Sequence, residues 1–289
     1  MKHAYLILAH NQFEVLDFLL RSIDDSRNHI FIHFDKKVIA KPNLQVHNAA
    51  MSILEDRVDV SWGDVTVVEA EYKLFEAAHA IGGFDYYHLL SGVDMPLKSQ
   101  DYIHDFFRKN QGKEFVGFYQ QDITIDMERK VRKFHLFPHD FRADTSIVGL
   151  IKKIVRAVSI RLQYLIGFSR NKDIDFKKGT QWISITHDFL ELIIQEKDNV
   201  LEIYKNTFCA DEIFIQTLCW NSVFKANVFN IDDEAQGSQR MIGWNNNMII
   251  EWEGKDFEQL KDSNLLFARK FSSNKMEVVN HLIKYVSNT

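Results

Sequence analysis

The run Ala4-Tyr5-Leu6-Ile7-Leu8-Ala9, closed by His10-Asn11, decides how this chain is read. Six apolar residues without alternation fit a strand covered on both faces, as strands are in parallel sheets. Working outward, Phe13, Leu16, Leu19, Leu20 and Ile23 follow at helical spacing, and His29-Ile30-Phe31-Ile32-His33-Phe34 supplies a second apolar strand. Strand, helix, strand predicts a parallel pair joined by a right-handed crossover. In such α/β folds ligands bind at the C-terminal strand ends. His10 closes the first strand and Asp35-Lys36-Lys37 the second, so both fall at the expected ligand edge. The first turn lacks the glycine-rich dinucleotide fingerprint, which argues against a nicotinamide enzyme.

Further on, Val58-Asp59-Val60-Ser61-Trp62-Gly63 reads as a short strand with a glycine stop, and Val67 to Ile81 as an amphipathic helix ended by Gly82-Gly83. A third apolar strand, Tyr86-Tyr87-His88-Leu89-Leu90, runs into Ser91-Gly92-Val93-Asp94-Met95-Pro96-Leu97-Lys98, and a helix opens near Ser99. A glycine, an acid, a proline and a lysine where a central strand ends fit a binding loop, and equally a structural turn.

Composition bounds the rest. With 289 residues, 46% of them hydrophobic, the chain can bury a large core, and 23 Phe against 3 Pro speaks against disorder. No repeat or linker divides it, so a single domain over 1-289 is expected, with a nucleotide-binding half (1-120) and an acceptor and catalytic half (121-289). A net charge of -5 gives no global field for nucleic acid, so an anionic ligand must meet a local basic cluster. Cys209 and Cys219 are too few for a disulfide framework. The apolar run after Lys2 is too short for a signal peptide or a membrane span, so a cytoplasmic protein is expected.

The chemistry-bearing stretch of the second half is Phe208-Cys209-Ala210-Asp211-Glu212-Ile213-Phe214, two carboxylates ahead of an apolar run with helical spacing. Asp211 suits a helix N-cap and Glu212 the first turn, where open N–H groups and the helix dipole favour ionised carboxylates. An ionised carboxylate is what a general base must be. An ordinary capped surface helix fits the same residues.

Several motifs in order carry a family resemblance: Tyr5-Leu6-Ile7-Leu8-Ala9-His10, Ile32-His33-Phe34-Asp35-Lys36-Lys37, Trp62-Gly63, Leu89 to Lys98, Gly179-Thr180-Gln181-Trp182, Asp211-Glu212 and Leu266-Phe267-Ala268-Arg269-Lys270-Phe271. Together they resemble the core-2/I-branching β-1,6-N-acetylglucosaminyltransferases of glycosyltransferase family 14, which includes the peptide xylosyltransferases. The resemblance implies a GT-A-like fold, a mostly parallel sheet flanked by helices. It implies an inverting, metal-independent transfer from a UDP-sugar, with UDP-GlcNAc the favoured donor, to a glycan or lipid-linked glycan, and no other cofactor. Glu212 matches the family's catalytic base and Asp35 its uridine contact. Arg240 and Lys270 match the cations that neutralise the diphosphate in place of a metal. His10, Ser91, Gly92 and Asp94 join the donor side. Arg129, within Glu128-Arg129-Lys130, and Trp182 resemble the acceptor side, where Asp211 would cap the helix and hold Glu212. Asp173-Ile174-Asp175 follows a polar loop rather than a buried strand and reads as surface, and His88, His104, His135 and His139 lack metal-ligand spacing. The absence of an anchor and of many cysteines fits a bacterial member. Rivals are a UDP-xylose or other UDP-sugar transferase, a non-catalytic glycan- or nucleotide-binding module, and a nucleotide-sugar hydrolase.

One segment is foreign to a catalytic core. Between Ser146 and Phe168, Ile147, Val148, Leu150, Ile151, Ile154, Val155, Val158 and Leu162 share a helical pattern with Lys152, Lys153, Arg156 and Arg161, without an acid. Such a helix fits an anionic membrane surface, at the inner face for a cytoplasmic enzyme, or packing on the domain or a partner.

Overall fold

The computed structural model describes residues 1–142, 145–246 and 248–287. The chain runs β1 (His3–Ala9), α1 (Phe13–Ser22), β2 (Asn28–Phe34), β3 (Ala50–Ile53), α2 (Thr66–Ile81) and β4 (Tyr86–Ser91). It continues through β5 (Asp94–Pro96), α3 (Gln100–Lys109), α4 (Thr124–Lys130), α5 (Ile147–Leu165), β6 (Ser184–Thr186), α6 (His187–Gln195) and α7 (Lys197–Tyr204). The last third holds α8 (Phe214–Trp220), α9 (Glu234–Ser238), β7 (Arg240–Ile242), the hairpin β8 (Trp244–Asn245) and β9 (Met248–Ile249), α10 (Phe257–Lys261), β10 (Phe267–Arg269) and α11 (Met276–Val286).

The central sheet has the order β3-β2-β1-β4-β6. Its first four strands are parallel, with Leu6 beside Phe31 on one side and Leu89 on the other, and β6 closes the edge antiparallel to β4. This is the mixed, mostly parallel sheet flanked by helices expected of a GT-A-like fold. Successive residues of β1 feed opposite faces. Leu6 packs with Phe31, Leu89 and the Val68, Tyr72 and Phe75 face of α2. Tyr5 and Ile7 pack with Ile30, Ile32, α1 and α11 on the other side. A small second sheet, β5-β10-β7, sits past the carboxyl end of β4, where β10 lies antiparallel to β5.

The helix near Ser99 begins as read, since the Ser99 side chain accepts a hydrogen bond from the Tyr102 N–H. The expected strand over 58–63 does not form. That segment crosses the strand ends, held by Lys36 N–H to the Val58 carbonyl and Val58 N–H to His33 Nε2, and it turns Val60 and Trp62 into a cavity. Its alternating Val58, Val60 and Trp62 imitate a strand because the segment has one wet face and one covered face. The strand beside β2 is Ala50–Ile53, short and partly exposed at the sheet edge.

Candidate functional site

A cavity of about 1200 Å³ opens at the carboxyl ends of β1, β2 and β4. Small-molecule pockets usually hold about 300–1,000 Å³. This one therefore has room for more than one small molecule.

Its first wall is built on strands. His10 stands at the exposed lip past β1, its pKa lowered by partial desolvation while Asp35 pulls the other way. Asp35, past β2, lines the cavity and is also a turn residue: its carboxylate accepts from the Lys37 N–H at 2.9 Å and lies 3.4 Å from Lys37 Nζ. Ser91 lines the cavity at the end of β4, and its N–H donates to Asp94 Oδ2 at 2.9 Å. Gly92 and Asp94 lie beneath the surface. A Cβ on Gly92 would come within 3.3 Å of the Ala9 Cβ, so the residue allows close packing on β1. Asp94 is 1% exposed; burial raises its pKa, opposed by Arg269, whose Nη1 approaches to 2.8 Å.

Two guanidinium groups meet this wall. Arg240, on β7, is 2% exposed and donates to the Ser238 and Ile183 carbonyls and Ser184 Oγ, with its group 4.5 Å above the Phe267 ring. Burial lowers its pKa to about 9, against the attraction of Asp94. Among the described residues no carboxylate lies within ion-pair distance of it, and its Nε has no partner. A buried cation without a counter-ion is costly, and an anion in the cavity would offset that cost. Arg269 lines the cavity, spans from Asp94 to the Trp182 ring at 4.1 Å, and was missed by sequence reading. Lys270 turns away to Glu251 at 3.4 Å and does not line the cavity. The register Arg269 opposite Asp94 on neighbouring strands is the signal that separates the two.

The second wall is built on turns. Asp211 and Glu212 sit in a single 3-10 turn, Ala210–Glu212, entered through Cys209 in the left-handed region at φ 54°. The following helix α8 takes Ile213 as its cap, so Asp211 is not the N-cap that the sequence suggests. Its carboxyl group turns inward: Oδ1 has no partner, and burial, then the Glu212 charge, raises its pKa to about 7. Behind it stands Glu71 of α2, fully buried, raised well above the carboxylate range by burial and by Asp211, and accepting from Gln181 Nε2. Glu212 reaches the cavity with Oε2 3.6 Å from both Lys130 Nζ and Lys178 Nζ. Those lysines also hold Asp126, each at 3.2 Å. Despite desolvation, Lys178 is pushed above its usual range by Glu212 and Asp126. Two lysines, rather than a helix N-terminus, thus stand beside the Glu212 carboxylate.

The Gly179 N–H donates to the Glu212 carbonyl at 3.0 Å, and a Cβ on Gly179 would lie 1.9 Å from the Gly117 carbonyl oxygen. Trp182 both lines the cavity and belongs to the core, 7% exposed. Arg129 is solvated, paired with Asp126 at 3.3 Å, and does not line the cavity. Asp173 and Asp175 are exposed. His88 and His104 are buried with His3, while His135 Nε2–H donates to the Arg129 carbonyl and His139 pairs with Asp64. No described helix is long and apolar enough to cross a membrane.

The family model described as "Core-2/I-Branching enzyme" matches residues 3–270. Similar curated proteins include "Xylosyltransferase 2" of Mus musculus, 22% identical over 301 residues, and that of Homo sapiens, 21% identical over 306 residues. Each match covers 93% of this chain and 32% of the relative, so the chain spans about a third of the length of the curated relatives it matches.

Proposed function

The chain belongs to the Core-2/I-branching enzyme family, and on that premise we propose that it is an inverting glycosyltransferase using a UDP-sugar. Glu212 takes the proton of an acceptor hydroxyl as that oxygen attacks the anomeric carbon from the face opposite the diphosphate. The bond to UDP breaks and an α-linked donor becomes a β-glycoside. The observation that carries this reading is the pairing of a cavity-facing carboxylate, held between Lys130 and Lys178, with the buried guanidinium of Arg240, which lacks a counter-ion. Arg240 and Arg269 supply positive charge for the leaving diphosphate without a metal, as fork-shaped donors do well. Lys270 joins them by exchanging Glu251 for phosphate. Asp35, with His10 and Ser91 beside it, receives the uridine and ribose.

GlcNAc is the proposed sugar and a glycan, free or lipid-linked, the proposed acceptor, at the cytoplasmic face of a membrane. The xylosyltransferase relatives favour UDP-xylose as the second reading. A thermal-shift panel of UDP-sugars separates them, because the bound donor raises the melting temperature by mass action. Stabilisation by UDP-GlcNAc above UDP-xylose is expected. Stabilisation by no UDP compound would overturn the transferase assignment, and UDP release without any acceptor would indicate a hydrolase.

A further inference from the structure

Helix α5 is built inside out. The side chains turned toward the protein body are mostly polar or small, with half-buried Ile160 the apolar exception. Gly149 is buried; Lys152 pairs with Asp140 at 2.8 Å; Arg156 donates to the Asp140 carbonyl; Gln163 exchanges hydrogen bonds with the Phe134 backbone. The opposite face carries Ile147, Leu150, Ile151, Ile154, Val158 and Leu165, each 47–81% exposed. Exposed Phe137 and Phe168 extend this apolar surface at either end. A contiguous apolar patch of this kind on a water-soluble surface marks an interaction site.

We propose that α5 is an interfacial helix that holds the protein on an anionic lipid surface, lying in the headgroup plane with its Ile/Leu/Val face among the acyl chains. Charge selects this occupant. The helix carries four basic residues and no acid, in a chain whose net charge is -5. Lys153 and Arg161 make no ion pair among the described residues and flank or interrupt the apolar face. In a two-fold pairing with a second copy, the same cations would meet each other with no acid on the helix to answer them. Anionic headgroups answer them, while the long stems of Lys and Arg let the charges reach the interface. At 19 residues with four charges the helix lies on a bilayer rather than crossing it.

The helix is tied to the cavity through its inward face. Arg156 stacks over Phe141 at 4.7 Å, Phe141 packs on Phe208 at 4.5 Å, and Phe208 on Trp62 at 5.4 Å at the cavity rim. Arg142, another rim residue, lies 4.0 Å over Trp62. Docking would hold the turn-built wall close to lipid, where a lipid-linked acceptor would be met. Only this consequence rests on the transferase reading.

The test is vesicle flotation of the whole chain with phosphatidylcholine alone and with phosphatidylcholine plus phosphatidylglycerol. Wild type should float with the anionic vesicles, and an Ile151→Asp/Ile154→Asp/Val158→Asp variant should stay at the bottom. Lys153→Gln/Arg161→Gln should weaken binding on the order of fivefold per charge removed at low salt. A UDP-induced melting shift retained in each variant shows an intact cavity; its loss in wild type would count against the transferase reading alone. Failure of wild type to float with either vesicle, or undiminished flotation of the triple variant, would overturn the proposal. So would lipid-free self-association abolished by the triple variant, which would assign the face to a second copy.

Discussion

Two carboxyl groups beside the cavity, each with a buried oxygen, meet opposite fates. Asp94 lies on a strand, and its burial is answered by Arg269 on the neighbouring strand and by the Ser91 N–H. Asp211 lies in a single turn, half-buried at the cavity wall, with its Oδ1 buried and unpartnered and a second acid, Glu71, behind it. Pairing across a sheet gives a fixed frame on one wall; an acid in a turn with an unpartnered oxygen stores electrostatic tension beside Glu212, the proposed base. Perturbed groups of this kind gather at functional sites.

The comparison can be broken from either side. The largest effect is expected at the turn: Glu212→Gln should remain folded and bind UDP while losing transfer by about 10²–10⁴-fold, the usual worth of positioned proton transfer. Near-normal turnover would remove Glu212 from the mechanism. On the strand wall, Arg269→Gln should cost about 3–5 kcal/mol of stability, read by denaturant unfolding, because it strands a buried Asp94. Lys270→Gln, beside partly exposed Glu251, should cost less than about 1 kcal/mol. Equal losses would mean that the Asp94–Arg269 pair is not what holds this wall.

Next comes the unanswered acid itself. A folded-state pKa raised to about 7, above an unfolded value of 3.8, means that the native protein holds a proton the unfolded chain releases. Stability from this group is present at acid pH and lost as pH rises through 7. Asp211→Asn should therefore outlast wild type by on the order of 2 kcal/mol at pH 8, with the advantage shrinking toward pH 5. A pH-independent difference would show that Asp211 is already ionised when folded. The smallest effect is a predicted absence: on the proposed mechanism turnover should survive a metal chelator, since Arg240 and Arg269 both line the cavity. Loss restored by Mn²⁺ or Mg²⁺ would refute the metal-free mechanism.

The legible parts of the sequence were those where one force acts alone. Strands β1, β2 and β4 are buried on both faces, so their apolar runs carry the fold, and Asp35 and Ser91 follow from where those strands end. The edge strand Ala50–Ile53 has no such run, and the crossing segment with Val60 and Trp62 mimics one. Asp211 reads as a cap because Asp before an apolar helix usually is one; the left-handed Cys209 shifts the helix start by two residues. Lys270 stands out over Arg269 through the family resemblance, and spacing cannot say which of two adjacent cations faces a neighbouring strand. The helix over 147–165 is plain in the sequence, but periodicity gives two faces and does not say which one is inward.

Gly179 sets a limit for anyone who would retune this cavity by directed evolution. Its hydrogen bond holds the backbone under Glu212, and the Gly117 carbonyl leaves no space for any side chain. A saturation library at that position should return glycine alone, whereas the exposed rim residue Trp244 should tolerate change.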